Sequence, residues 1–227
     1  TWSLWGIHSR VITNSIEVGN RLEELGQSRE KLVSVAEAMI GAKADCTDND
    51  PPGARGWSAW RMGTRRLREV NLVDDGWEKD ETDQVSSVLN RNLGVRIVVS
   101  NTNDCTGIEE VGRNPQNRSK KGAATDRMIQ QNQGSFMDIL DATTNIIPLH
   151  SDSTMPGAIV TWYYCVYCEG DDFRTELSCP SSVENGFFAG FIERIFIIDS
   201  SNDGTHPTRR LNDDETVTEF EIPVTRK

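Results

Sequence analysis

Cationic side chains are concentrated in two short stretches of a chain that is otherwise acidic. The 227 residues carry 24 Lys and Arg against 35 Asp and Glu, a formal net charge of -11. Ten of the 24 cations lie in residues 55–68 and 113–127, named here the first and second basic segments. Negative net charge disfavours general coating of nucleic acid or anionic membranes, but salt screening leaves a local cationic site free to bind an anion.

The second basic segment, RNPQNRSKKGAATDR, combines cations with amides and hydroxyls that hydrogen-bond phosphates or base edges. Gly122 allows close backbone approach, and the residues after it can begin a helix whose N–H groups favour an anion. No Walker or dinucleotide-binding spacing occurs. The segment predicts a phosphate-binding loop, with a solvated surface loop as the alternative. The cations predicted to bind are Arg118, Lys120 and Lys121.

The first basic segment predicts a helix with arginines and an indole along one side. Arginine contacts phosphates through a planar fork, and tryptophan stacks on bases, so this combination is typical of nucleic-acid or nucleotide recognition. In the alternative, the arginines pair with acidic residues 74–83 while Trp60 and Leu67 fill the core. The stripe at helical spacing consists of Trp57, Arg61, Arg65 and Arg68.

Polar residues follow a β-branched run that predicts a strand. Asn101, Asn103 and Asp104 are expected at the strand end, where they could orient a ligand. If Asp104 were joined by Glu109 or Glu110, the carboxylates could hold Mg²⁺ or Mn²⁺ for a nuclease or phosphohydrolase. The chain has no Glu-x-Lys triplet of the kind many nucleases use, so binding is preferred and metal-dependent catalysis is the alternative.

The cysteines and histidines do not assemble a recognisable metal or nucleophile motif. Cys165 and Cys168 match half of a zinc knuckle, but no second paired motif supplies the remaining ligands. On a strand they would face opposite sides, so buried free thiols are predicted. The histidines are widely separated. No metal site and no cofactor are predicted.

The pattern predicts an α+β fold, with a helical N-terminal part packed on a mainly antiparallel C-terminal sheet. One domain, 1–227, would comprise a helix-rich sub-region 1–94 and a strand-rich sub-region 95–227. Predicted helices cover residues 9–25, 28–40, 57–70 and 82–94; predicted strands cover residues 95–99, a hairpin centred on Gly170, the apolar run 191–199 and residues 216–224.

The composition of the chain indicates the cellular location and the partners to expect. No apolar run reaches the length of a membrane span, and five irregularly spaced cysteines favour a reducing compartment, so a cytoplasmic microbial or viral protein is expected. The expected partner is nucleic acid or a phosphate-bearing small molecule, without a membrane. A homo-oligomer is the remaining possibility, in which the apolar C-terminal strands of a structural protein mediate self-association.

Overall fold

The computed structural model describes residues 9–110, 112–132, 159–170 and 172–198. These residues form a mixed α/β structure. In chain order its elements are β1 (Arg10–Ile12), α1 (Ser15–Glu24), α2 (Arg29–Ala44), α3 (Ala54–Asn71), β2 (Trp77–Asp80), β3 (Ser87–Asn90), β4 (Val95–Asn101), α4 (residues 123–132), β5 (Val160–Glu169), β6 (Asp172–Glu184) and β7 (Phe187–Ile198).

The seven strands form one mixed sheet in the order β1-β7-β6-β5-β4-β3-β2. Antiparallel pairs join β2 to β3, β3 to β4, β5 to β6 and β6 to β7. Parallel pairs join β1 to β7 and β4 to β5. The prediction that the sheet belongs only to the C-terminal part is therefore wrong. Three strands, β1, β2 and β3, precede residue 95; β1 forms one edge of the sheet, and β3 and β2 lie at the other.

The predicted helix at residues 82–94 is also wrong. A short 3-10 segment, Thr82–Gln84, leads into β3, and the turn after β3 returns the chain to β4. All four residues of β3 are buried. Asp80 of β2 binds both the Ser87 hydroxyl (2.7 Å) and Arg96 Nε of β4 (2.9 Å), so contacts between strands override the local helical spacing.

Local signals locate the first helices well. Ser28 caps α2, as predicted, by accepting a hydrogen bond from the Lys31 amide (3.3 Å). Gly26 ends the first helical segment with φ 66°, a conformation that glycine adopts without strain. Two predicted boundaries are wrong: residues 10–12 form β1 rather than the start of α1, and α2 continues past Gly41.

Side chains alternate between the two faces of the sheet, as the pleat requires. Ile97, Val99 and Tyr164 belong to the larger apolar cluster, which α1, α2 and α3 cover. Val98 and Tyr163 belong to a second cluster with Ile129 of α4 and with residues of β5 and β7. Helices therefore pack on both faces.

The predicted strand at 95–99 and the hairpin around Gly170 are confirmed as β4 and as β5–β6. β7 lies between β6 and β1, so the apolar run predicted as a strand is in the core of the sheet. The strand predicted at 216–224 lies outside the described residues. Within the described part of the chain, no helix combines the length and apolar character needed to cross a membrane.

Candidate anion-binding cleft

A cleft of about 590 Å³ opens where the parallel strands β4 and β5 end. The C-terminal turn of α2, the N-terminal turns of α3 and the second basic segment complete its walls. Its volume is in the range of small-molecule sites. Ligands of α/β sheets commonly bind outside the carboxyl ends of parallel strands, because the loops that follow those strands converge there.

The lining is cationic in a protein of net charge -11. Among the described residues, four cations and one carboxylate line the cleft, with two tryptophans at the α3 side. Low-dielectric walls and clustered charge of one sign strengthen the local potential felt by a charged ligand. The charged lining residues are Lys43, Arg55, Arg118, Lys121 and Glu169.

Arg118 is held in place by the end of β4. Its amide donates to the Asn101 carbonyl (3.0 Å) and its Nε donates to the Thr102 carbonyl (3.1 Å). The guanidinium lies 5.8 Å from the centre of the Tyr167 ring, and Nη1 is 2.6 Å from Glu169 Oε1. These contacts orient a planar cation whose side chain is 45% exposed.

Glu169, the last residue of β5, also contacts the second cation of this wall. Lys43 Nζ lies 3.4 Å from Glu169 Oε1 and donates to the Cys168 carbonyl. The hydrogen bond from Arg118, followed by the charge of Lys43, lowers the pKa of Glu169 below its usual value. The carboxylate is therefore ionised at neutral pH and partly offsets the two cations.

The first turn of α3 lines the cleft. Gly53 is its N-cap, with φ 86° and no side-chain cap, and the first turn contains no acidic residue. Asn101 Nδ2 donates to the Gly56 carbonyl (2.8 Å), which ties this turn to the end of β4. Among the described residues, no acceptor binds the Arg55 and Gly56 amides. An uncapped helix N-terminus favours an anion.

Trp57 stands at the rim of the cleft with 59% of its surface exposed. The guanidinium of Arg61 lies 5.4 Å from the centre of its ring. An exposed indole beside a cationic wall is suited to stack on a base or another planar group.

Lys121 lines the cleft, but its charge is directed elsewhere. Its ammonium lies 5.7 Å and 5.9 Å from the ring centres of Tyr163 and Phe188, which belong to the second apolar cluster. Burial lowers the pKa of Lys121. Arg55 pairs at 3.3 Å with Asp48, which is not among the lining residues. The cations that contact the carboxylate of the cleft are therefore Arg118 and Lys43.

The other predicted cations lie outside the lining. Arg65 pairs with Glu69 (2.7 Å), and Lys120 lies 6.0 Å from the centre of the Phe187 ring. Arg68 donates to the Asp80 carbonyl (3.3 Å) and pairs with Glu81 (3.3 Å), as the alternative interpretation of the first basic segment expected for this arginine. The structure thus brings Trp57, Asn101, Arg118 and Lys121 together in one cleft and leaves Arg61, Arg65, Arg68 and Lys120 outside it.

The polar residues after Asn101 bind other residues of the loop that follows β4. Asn103 Oδ1 accepts from the Cys105 and Gln116 amides (3.3 and 3.0 Å). Arg113 bridges Asp104 (3.4 Å) and Glu110 (3.2 Å).

None of the predicted polar and acidic residues Asn103, Asp104, Glu109 and Glu110 lines the cleft. In the part of the chain that the structure describes, no cluster of three or more His, Cys, Asp or Glu side chains could hold a metal ion.

The two cysteines of the CVYC motif face opposite sides of the sheet, as predicted. Cys165 packs in the second apolar cluster, whereas Cys168 packs against the larger one. Burial raises the pKa of both thiols, which makes them poor nucleophiles at neutral pH. His8, His150 and His206 lie outside the described residues.

Sequence reasoning missed Lys43, Glu169 and the α3 N-terminus as parts of one site. Lys43 carried a weak signal as the basic residue in the last turn of α2, and Glu169 carried one as the residue that opens the hairpin turn. Neither signal connects the two residues, which are 126 positions apart. No family model, curated protein or solved structure matches the chain.

Proposed function

We propose that the cleft binds a phosphate-bearing ligand, a nucleic acid or a nucleotide. The observation that carries this proposal is the pair of cations Arg118 and Lys43 beside the carboxyl ends of β4 and β5. The described lining also includes Arg55 and Lys121 and a single carboxylate, Glu169, in a protein of net charge -11. Such a site attracts anions selectively because the rest of the surface repels them.

The chemistry of the walls favours phosphate among anions. Arg118 offers a fixed guanidinium, which forms paired hydrogen bonds to phosphate oxygens. The Arg55 and Gly56 amides add N–H donors at a helix N-terminus. Trp57 at the rim supplies a surface for the base of a nucleotide.

We propose a reducing compartment, such as the cytoplasm, as the setting of this activity. All five cysteines, Cys46, Cys105, Cys165, Cys168 and Cys179, are free thiols. Free thiols persist in the cytosol, where disulfides are rare.

The test is binding of labelled single- and double-stranded DNA and RNA over a salt series, with Arg118→Gln. We expect the variant to bind about tenfold more weakly or worse, the effect of losing a hydrogen bond to a charged group. Fewer phosphate contacts should also make the affinity less dependent on salt.

Arg91→Gln is the matched control, because Arg91 is an exposed arginine in an ion pair of similar geometry, 2.7 Å from Glu78, outside the cleft. It removes the same charge and is expected to change affinity little. Equal losses in the two variants would assign binding to net charge rather than to the cleft. Absence of binding to all four nucleic acids and to nucleoside monophosphates at low salt would refute the proposed function.

A further inference from the structure

A carboxylate of the protein itself contacts two cations of the cleft. Glu169 Oε1 is 2.6 Å from Arg118 Nη1 and 3.4 Å from Lys43 Nζ. The Glu169 side chain is 48% exposed. Ion pairs this exposed contribute little to folding stability, so stability does not account for an acidic residue in a cationic cleft.

A phosphate that accepts paired hydrogen bonds from Nη1 and Nη2 of Arg118 takes the place of Glu169 at Nη1. Arg118 cannot follow the departing carboxylate, because its Nε is bound to the Thr102 carbonyl and its amide to the Asn101 carbonyl. Glu169 can leave, because it ends β5 next to Gly170 at an exposed turn. Binding at this wall is therefore an exchange of one anion for another.

The exchange depends on the charge of the incoming group. A phosphodiester carries one negative charge, as Glu169 does. Replacing Glu169 by a phosphodiester therefore adds little favourable charge interaction with Arg118 and Lys43. A phosphate monoester carries about 1.5 to 2 negative charges at pH 7 and three acceptor oxygens. It can therefore engage Arg118 and Lys43 together and more than compensate for the displaced carboxylate.

We infer that Glu169 is a specificity-determining residue through which the cleft selects terminal phosphate monoesters over the phosphodiester backbone of nucleic acids. This inference rests on the proposed function of the cleft. It narrows the ligand class to a nucleoside monophosphate or the phosphorylated end of a strand, which share the same terminal group.

The experiment compares two single-stranded DNA probes of one sequence, labelled at the 3′ end and carrying either a 5′-phosphate or a 5′-hydroxyl. Anisotropy gives the affinity of each probe for the unmodified protein, Glu169→Gln and Glu78→Gln. Glu78 is the matched control, because its side chain is 49% exposed and pairs with Arg91 outside the cleft. Competition by adenosine 5′-monophosphate, with adenosine as its control, distinguishes a free nucleotide from a strand end.

We expect the unmodified protein and Glu78→Gln to prefer the 5′-phosphate about tenfold, the effect of additional hydrogen bonds between charged groups. In Glu169→Gln the 5′-hydroxyl probe should bind more tightly and the preference should shrink. Equal binding of both probes by the unmodified protein, or an unchanged preference in Glu169→Gln, would overturn the inference while leaving phosphate binding intact. Failure of both probes and of the nucleotide to bind any of the three proteins would instead remove the proposed function and this inference with it.

Discussion

At the scale of single residues, arginines have two distinct roles. Arg118 is a half-exposed cation in the cleft, whereas Arg194 is buried and binds Glu176 through two hydrogen bonds (2.9 and 2.7 Å). Arg194 also donates to the Cys105 and Arg113 carbonyls, so it anchors the chain that leads into the second basic segment. A buried pair of this kind is costly to break, because the remaining charge stays in the interior.

Substitution Arg194→Met is therefore expected to lower the free energy of unfolding by about 3–5 kcal/mol, the cost of leaving Glu176 buried without its partner. Chemical denaturation measures the change. Arg65→Met is the control, since Arg65 is exposed and pairs with Glu69 on the same helix, and its effect should be small. Comparable losses of unfolding free energy in Arg194→Met and Arg65→Met would contradict the distinction between the buried and the exposed ion pair.

At the scale of elements, the close packing of α2, α3 and β4 positions the α3 N-terminus at the cleft. A Cβ atom on Gly63 would lie 2.5 Å from Met39 Cγ and 3.1 Å from Val99 Cγ1. Glycine at this helical position therefore allows α3 to pack closely against α2 and β4; it is not required by an unusual backbone conformation.

We expect Gly63→Ala to destabilise the protein by about 1–3 kcal/mol, because overpacking outweighs the better helix propensity of alanine. The matched variant is Gly19→Ala in α1, where no atom of the described residues lies within 4 Å of the added Cβ apart from the local backbone of α1 and the two neighbouring residues. Gly19→Ala should raise the free energy of unfolding by about 0.5–1 kcal/mol, the usual gain when alanine replaces glycine in a helix. Thermal and chemical unfolding of the two variants test this, and changes of the same sign would show that α3 can adjust its position.

At the scale of the whole molecule, the interior contains several acids that must stay protonated. Burial raises the pKa of Tyr163 to about 12 and raises those of Tyr164, Cys165 and Cys179. In the unfolded chain, thiols and phenols ionise near pH 8.5 and 10. The folded state therefore binds more protons than the unfolded state at alkaline pH, and its stability falls as pH rises.

The free energy of unfolding should accordingly decrease from about pH 8.5 towards pH 12. Denaturation in a reducing buffer at several pH values measures the slope. Tyr163→Phe removes one of the groups, so its stability should fall less steeply than that of the unmodified protein above about pH 10. Identical slopes would show that Tyr163 ionises alike in both states.

Local chemistry in the sequence predicted much of the secondary structure. The Ser28 cap, the β-branched run of β4 and the turn at Gly170 are each determined by neighbouring residues, and each was located correctly. The prediction of a helix at residues 82–94 was wrong because the burial of β3 and its pairing with β2 and β4 depend on residues elsewhere in the chain. Periodicity within a segment does not report such contacts.

The sequence by itself determined that cations cluster in two segments of an acidic chain, because charge and position along the chain are visible there. Tertiary structure decided which of them share a site. Parallel pairing of β4 with β5 brings Arg118 beside Glu169 and Lys43, and the packing of α3 adds Trp57 while directing Arg68 to Glu81. The physical reason is that a binding site depends on distances in space, which long-range strand pairing and helix packing establish.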